Sequence, residues 1–128
     1  MQLNNIVRHL RRTLILLLLS AVLLFSGYTW VTLHLVYSQG ERAGVLQKLS
    51  YKGWVCKTWE GELMLTPLPG IIPEKFYFTI PDDAVASKLN ALIGHRVALT
   101  YEQHRGIPSS CFGETQYYVR DVKEIATP

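Results

Sequence analysis

KFYFTIPDDAVASKLNALIGHRVALTYEQH, residues 75–104, is the stretch of the chain that decides the fold. Its first six residues, 75–80, alternate between two faces, which is typical of a β-strand. After them Asp82 or Asp83 can cap a helix whose apolar residues follow a helical period, and Gly94 stands where a C-terminal cap belongs. The last ten residues alternate again. The stretch therefore predicts one short helix between two strands.

Three more strands are predicted around this unit. Val45–Tyr51 and Trp54–Thr66 alternate in front of it, followed by a proline-containing loop over 67–73, and Glu114–Ile125 follows it. Gly61, inside the second strand, predicts a bulge or a sharp bend. Three strands, one helix and two strands in succession is the order of an OB-fold, a five-stranded β-barrel. We therefore expect a mainly β domain, a small OB-like barrel, with another small barrel or an α+β sandwich as alternatives.

A long apolar segment precedes this domain. From Leu14 to Val36, 23 residues contain no Asp, Glu, Lys or Arg. As a helix they would cover about 35 Å, enough to cross a hydrocarbon layer of ~30 Å. Arg8, Arg11 and Arg12 precede the segment, and basic residues favour the cytoplasmic side of a membrane. We therefore expect one transmembrane helix, a cytoplasmic N-terminus and a domain outside the cytoplasm.

A cleavable signal peptide begins with the same pattern, so the choice depends on the residues toward the end of the apolar run. Residues 25–30 offer no Ala-x-Ala-like pair for cleavage, and the apolar run continues beyond them. We predict an uncleaved signal anchor over 13–37, with cleavage as the alternative. A basic tail (1–12) then lies in the cytoplasm, a linker (38–44) follows the anchor, and the domain (45–128) is periplasmic or otherwise extracytoplasmic. This organisation is that of a single-pass protein of the bacterial plasma membrane.

The charges are unevenly distributed along the chain. The net charge is +3, and the excess comes from the three arginines before the apolar segment, because residues 38–128 hold 10 basic and 10 acidic side chains. A neutral domain lacks the broad positive field that binding to a phosphate backbone uses. We therefore expect no nucleic-acid partner.

Cys56 and Cys111 are the two cysteines of the chain. Disulfides persist outside the cytoplasm, and in the OB order these residues lie in neighbouring loops at one mouth of the barrel. A disulfide is therefore expected, with two free thiols or a metal or redox site as alternatives. Their separation, without a C-x-x-C motif, matches no zinc or thioredoxin pattern.

Aromatic and basic residues near the same two loops are candidates for a contact surface. Trp54 and Phe112 lie beside the loops, and Lys52, Lys57 and Arg105 add charge. Exposed rings can stack on bases or sugars, but they can equally cover the end of a small core. The pattern indicates a binding surface without selecting a ligand.

The polar residues of the domain form no recognised catalytic pattern. Glu60 and Glu62 share a strand face with Cα atoms roughly 6.6 Å apart, a spacing compatible with a carboxylate pair and equally with a solvated face. His95 and His104 form no recognisable ligand set with Cys111. We therefore expect no enzyme activity, cofactor or metal.

Residues 38–50, SQGERAGVLQKLS, with Lys52-Gly53 and with KTWEGEL over 57–63, resemble a group of uncharacterised bacterial single-pass envelope proteins. Some of these are labelled 6-phosphogluconate dehydrogenase. That enzyme needs a dinucleotide-binding βαβ unit with a Gly-rich turn. The chain contains no G-x-G-x-x-G motif, and the 91 residues of 38–128 cannot hold that unit and a substrate domain. The dehydrogenase label therefore predicts nothing about this chain.

These patterns together favour a membrane-anchored, non-catalytic domain that contacts another envelope or membrane protein. A single span followed by a short linker fixes the height of the domain above the bilayer, which suits a subunit of a membrane complex. The alternative is an OB module that binds an oligosaccharide or a peptidoglycan fragment through the aromatic surface.

Overall fold

The computed structural model describes residues 1–65, 72 and 74–125. The loop predicted over 67–73 therefore lies outside the described residues except for Ile72, as do residues 126–128 of the predicted domain. The elements, in chain order, are α1 (Gln2–His34), β1 (Ser38–Lys52), β2 (Thr58–Met64), β3 (Lys75–Ile80), α2 (Asp83–Ala91), β4 (Arg96–Gln103), a 3₁₀ turn (Ser110–Phe112) and β5 (Tyr117–Glu124).

The five strands close into a barrel in the order β1-β2-β3-β5-β4, and β4 pairs with β1 to complete the ring. All neighbours are antiparallel except β3 and β5, which run parallel where Thr79 pairs with Tyr118. β1 can serve two neighbours because it has 15 residues: its first half pairs with β4 and its second half with β2. The register shifts between Leu46 and Lys48, a bulge that bends the strand. This is the OB topology, and the predicted fold class is confirmed.

The first half of β1 corrects the predicted linker. Residues 38–44 are paired with β4 along their whole length, from Ser38 opposite Gln103 to Gly44 opposite Val97. The sequence predicts a linker here because positions 40 and 44 hold glycine, where a strand of a small barrel usually carries apolar side chains. Three residues, 35–37, are all that separate α1 from the barrel.

Gly61 has a different role from the one its position predicts. It keeps regular register, opposite Leu49 on β1 and Phe78 on β3, so it forms no bulge. A Cβ at Gly61 would overlap the Phe78 ring, which is fully buried. The glycine therefore makes room for an aromatic ring in the core, and the bend predicted in β2 occurs in β1.

The hydrophobic core fills the barrel and the space under α2. Its buried residues come from all five strands and the helix: Leu46, Leu63, Phe76, Phe78, Ile80, Val85, Ala86, Leu89, Val97, Leu99, Val119 and Val122. Asp82 caps α2, because its side chain accepts a hydrogen bond from the Ala84 backbone N–H (2.9 Å). Gly94 follows the helix with φ +85°, the left-handed conformation expected after a helix C-terminus.

α1 is one continuous helix of 33 residues and is long and apolar enough to span a membrane. It ends at His34, three residues before the end of the predicted anchor. Its last turns touch the barrel, since the Tyr28 hydroxyl donates a hydrogen bond to the Gly106 carbonyl (2.7 Å) and Thr32 is buried.

Candidate ligand-binding surface around the disulfide

A disulfide joins the β1–β2 loop (53–57) to the β4–β5 loop (104–116). Cys56 and Cys111 are bonded with an S–S distance of 2.07 Å and a Cα–Cα distance of 4.9 Å, as predicted. Ser109 caps the 3₁₀ turn that carries Cys111, because its hydroxyl accepts from the Cys111 backbone N–H (3.2 Å). The two loops therefore lie against each other at one end of the barrel.

The tip of the β1–β2 loop is apolar and exposed. Trp54 and Val55 are both almost completely accessible to solvent, at 103% and 94%. The next residue, Cys56, is held by the disulfide, so the tip is tied at its base to the β4–β5 loop. We call Trp54 and Val55 the apolar tip.

A groove of about 380 Å³ lies beside the disulfide, and we call it the aromatic groove. Three rings line it, Tyr51, Trp59 and Phe112, together with Lys57, Thr58, Thr79, Ile80, Pro81, Asp83 and Cys111. The Tyr51 and Trp59 ring centroids are 4.9 Å apart. Trp59 is fixed by its Nε1–H, which donates to Asp83 Oδ1 in the first turn of α2 (3.1 Å). The groove therefore presents preoriented aromatic surface with one cation and one carboxylate.

The outer face of β2 and β3, where OB-folds commonly bind ligands, is covered at its centre by the chain itself. The buried Glu60 carboxylate accepts hydrogen bonds from the Thr58 hydroxyl (2.8 Å), the Thr79 hydroxyl (2.7 Å) and the Glu114 backbone N–H (3.0 Å). Gly113 lies directly on Thr79, and a Cβ there would come within 2.6 Å of Thr79 Cγ2. The end of the β4–β5 loop therefore covers the middle of this face, leaves only a small cavity of about 70 Å³ there, and makes the larger aromatic groove at its edge the candidate ligand surface.

Glu62, the other member of the carboxylate pair considered from the sequence, has a different environment. Its carboxylate is 3.8 Å from Lys75 Nζ on the neighbouring strand. Glu60 accepts hydrogen bonds from three donors, whereas Glu62 forms an ion pair with one lysine. The two carboxylates therefore have no partner in common. Their arrangement serves the attachment of the loop and a cross-strand ion pair.

The structure brings together some of the predicted contact residues but separates one of them. Phe112 and Lys57 line the aromatic groove, and Trp54 forms the apolar tip. Lys52 lies nearby and forms an ion pair with Glu114 (3.0 Å); the hydrogen bond to that carboxylate raises the pKa of Lys52. Arg105 lies elsewhere, at the start of the loop, where its guanidinium is 4.6 Å from the Tyr37 ring centroid.

Three groove residues, Tyr51, Trp59 and Asp83, are not among the contact residues that the sequence predicts. Tyr51 faces Trp59 across the β1–β2 hairpin, so the register of that hairpin is the signal that would have found it. The sequence predicts Asp83 only as an alternative helix cap, and the structure gives that role to Asp82. Asp83 follows that cap, and its carboxylate accepts the hydrogen bond from the Trp59 indole N–H.

A second polar cluster joins the barrel to α1. The buried His104 ring lies 3.1 Å (Nδ1) from the Thr32 carbonyl and 3.2 Å (Nε2) from Glu102 Oε2, and Arg120 Nε donates to the same oxygen (3.0 Å). Burial alone would raise the pKa of Glu102, but the hydrogen bonds from His104 and Arg120 outweigh it and the pKa is lowered. Burial, with the nearby Glu60 charge, raises the pKa of Tyr118 to about 12.

The part of the chain that the structure describes contains no cluster of His, Cys, Asp and Glu suited to a metal.

No protein-family model matches the chain, and no curated protein matches its sequence. Among solved structures, the fold is similar to that of a mitochondrial single-stranded DNA binding protein from S. cerevisiae, Rim1. The TM-score is 0.54 at 8% sequence identity, over 73% of this chain and 99% of the yeast chain. At this identity the similarity concerns the fold.

This similarity corrects the exclusion of nucleic acid as a partner. The exclusion was wrong, because a barrel of the same fold belongs to a protein named for binding single-stranded DNA. The net charge of a domain averages over its whole surface, whereas single strands are bound by local stacking on aromatic rings beside basic groups. Rings and a lysine lie together in the aromatic groove. The chain is thus an OB-fold barrel joined to an apolar helix, with the aromatic groove beside the disulfide as its candidate ligand surface.

Proposed function

We propose that the protein is a membrane-anchored, non-catalytic OB-fold domain that holds another membrane or envelope protein against the apolar tip and the aromatic groove. The observation that carries the proposal is the exposure of Trp54 and Val55 on a loop tied down by a disulfide. Tryptophan is enriched among the residues that dominate binding energy at protein interfaces. A contact residue on a tied loop also loses less conformational entropy when it binds.

The anchor in this proposal is α1. Its length and composition suit a membrane span, and three residues connect it to β1. The basic residues before the apolar segment favour a cytoplasmic N-terminus, and the Cys56–Cys111 disulfide suits an oxidising compartment outside the cytoplasm. A partner of the domain would therefore meet it at the membrane surface.

A single-stranded nucleic acid is a second candidate ligand. The structural similarity to a single-stranded DNA binding protein favours it, and base stacking on aromatic rings contributes about 1–3 kcal/mol per base in such proteins. Tyr51, Trp59 and Phe112 would supply the rings and Lys57 a phosphate contact. An oligosaccharide would stack on the same rings, so the two polymers must be compared directly.

Co-purification tests the first proposal. The full chain is solubilised from membranes as wild type, as Trp54→Ala and as Tyr77→Ala, a control that removes an exposed ring of β3. We expect one protein in stoichiometric amount with the wild type and with Tyr77→Ala, and at least tenfold less with Trp54→Ala. Equal recovery from all three variants, or no partner with any of them, contradicts the proposal.

Titration tests the second candidate on the same material. A fluorescent oligo-dT and a fluorescent peptidoglycan oligomer are each added to the full chain in lipid nanodiscs. Saturable binding of oligo-dT that is lost in Phe112→Ala and kept in Tyr77→Ala would replace the protein partner by a single strand. The same result with the peptidoglycan oligomer would assign the groove to a glycan.

A further inference from the structure

The start of the β4–β5 loop is held against the last two turns of α1. Tyr28 donates its hydroxyl hydrogen to the Gly106 carbonyl (2.7 Å), and the ring of buried His104 lies 3.1 Å from the Thr32 carbonyl. Tyr37, just after the helix, donates its backbone N–H to the Gln103 carbonyl (2.8 Å). These three contacts fix the height of this end of the barrel, and with it the start of the loop, on the helix.

The length of the helix places this contact at the edge of a bilayer. A hydrocarbon layer of ~30 Å requires about 20 helical residues. Counted from Thr13, which follows the last arginine, about 20 residues end near Thr32. Tyr28 and Thr32, the helix residues that the loop touches, therefore lie at or just inside the outer edge of the hydrocarbon layer.

The side chains at this height suit the headgroup region. Tyr28, Trp30 and Tyr37 are exposed, and such amphipathic rings concentrate at membrane interfaces. The exposed Arg105 guanidinium is 4.6 Å from the Tyr37 ring centroid, and guanidinium groups bind phosphate oxygens through paired hydrogen bonds. The exposed Pro108 adds apolar surface.

We propose that residues 105–108 of the β4–β5 loop are a second membrane contact, with Arg105 on lipid phosphate groups and Pro108 at the boundary of the acyl chains. The barrel then rests on the bilayer through this loop as well as through the helix. The inference depends on the proposed anchoring by α1. Its consequence concerns the ligand surface, because Cys111 at the other end of the same loop carries the disulfide and so places the aromatic groove at a fixed height above the membrane.

Spin labels at three positions test the contact in the full chain. Nitroxides are attached to Pro108→Cys, to Lys88→Cys on the exposed side of α2, and to Val22→Cys in the middle of α1, in nanodiscs that contain phosphatidylglycerol. We expect the label at 108 to be relaxed more by oxygen than by a water-soluble nickel complex, and the label at 88 to show the reverse. A label at 108 that behaves like the label at 88 overturns the loop contact. A label at 22 that is accessible to the nickel complex overturns the anchor itself, so the two failures are distinguishable.

The role of Arg105 is tested by changing the lipid charge. Phosphatidylcholine keeps the phosphate but neutralises its charge with a choline cation, so replacing phosphatidylglycerol by it should weaken the Arg105 contact and raise the accessibility of the label at 108 to the nickel complex at least twofold in the otherwise wild-type chain. In the Arg105→Ala background this response should disappear, whereas in Lys123→Ala, which removes an exposed cation from β5, it should remain. A response that survives in Arg105→Ala contradicts the phosphate contact.

Discussion

Glu60 attaches the end of the β4–β5 loop to the outer face of β2 and β3. Its carboxylate joins the β2 hydroxyl of Thr58, the β3 hydroxyl of Thr79 and the backbone of Glu114 in one set of hydrogen bonds. Alternation along β2 correctly assigns Glu60 to the outer face, but alternation contains no information about a loop that returns over that face 54 residues later. The burial of the Glu60 carboxylate therefore depends on the tertiary structure and cannot be predicted from the pattern of β2 alone.

Replacing Glu60 by alanine should destabilise the domain by about 1–3 kcal/mol, since it leaves the part-buried Glu114 backbone N–H and the hydroxyls of Thr58 and Thr79 without their carboxylate acceptor. The control is Glu62→Ala, two residues along the same strand, which removes a surface ion pair and should cost less than about 1 kcal/mol. Thermal unfolding of the full chain in detergent, followed by near-ultraviolet circular dichroism, measures both. Equal losses in the two variants would show that the loop attachment contributes no more than the ion pair.

Glu102 should make the domain sensitive to acid. Hydrogen bonds from His104 and Arg120 lower its pKa in the folded state despite its burial, so the unfolded state binds the proton more tightly. The stabilisation is therefore present above the unfolded pKa of about 4.3 and is lost as the pH falls through the lower folded value. We expect Glu102→Gln to flatten the acid decline of the melting temperature below about pH 4.3 relative to Glu74→Gln, an exposed control. Parallel declines in both variants would contradict this assignment.

At the scale of elements, the sequence predicts best those segments whose period and caps agree. β3 has the predicted bounds, Lys75–Ile80, and α2 begins after its predicted aspartate cap. β1 was predicted only in its second half, because Gly40 and Gly44 remove the apolar signal from its first half. The loops at the barrel mouth were predicted as neighbours because the order of the strands fixes the topology, and the disulfide followed from it. The covering of the β2–β3 face was not predictable, because it depends on the path of a loop without periodicity.

Removal of the disulfide should loosen the loops before the barrel. The bond closes a long loop of chain, and Cys56→Ser with Cys111→Ser should lower the free energy of unfolding by ~2–4 kcal/mol. We expect faster amide hydrogen exchange in the two loops because the apolar tip loses its attachment, while membrane insertion, which depends on α1, stays the same. Urea unfolding with tryptophan fluorescence measures the loss, and carbonate extraction checks the insertion. Unchanged stability would mean that the loops are held by their other contacts, such as the Lys52–Glu114 ion pair.

At the scale of the whole molecule, one loop connects α1 to the aromatic groove. The β4–β5 loop touches α1 through His104 and Gly106, is bonded to the β1–β2 loop at Cys111, and covers the β2–β3 face at Gly113. With three residues between α1 and β1, the barrel has little freedom to turn relative to the helix. α1 and the aromatic groove are therefore in a fixed relation within one chain.

The orientation of that assembly should depend on the three arginines that precede the apolar segment. They carry the charge bias of the chain, because residues 38–128 are neutral overall, so Arg8→Gln, Arg11→Gln and Arg12→Gln together should invert a measurable fraction of molecules. A reporter fused after residue 128 detects the inversion, and three Lys→Gln changes within the domain, at Lys48, Lys88 and Lys123, are the control. The disulfide provides an independent readout: inverted molecules place Cys56 and Cys111 in the reducing cytoplasm, where they should react with a thiol reagent after unfolding. A wild-type reporter active only in the cytoplasm would refute the orientation, and thiols protected in the inverted fraction would show that the bond forms in either compartment.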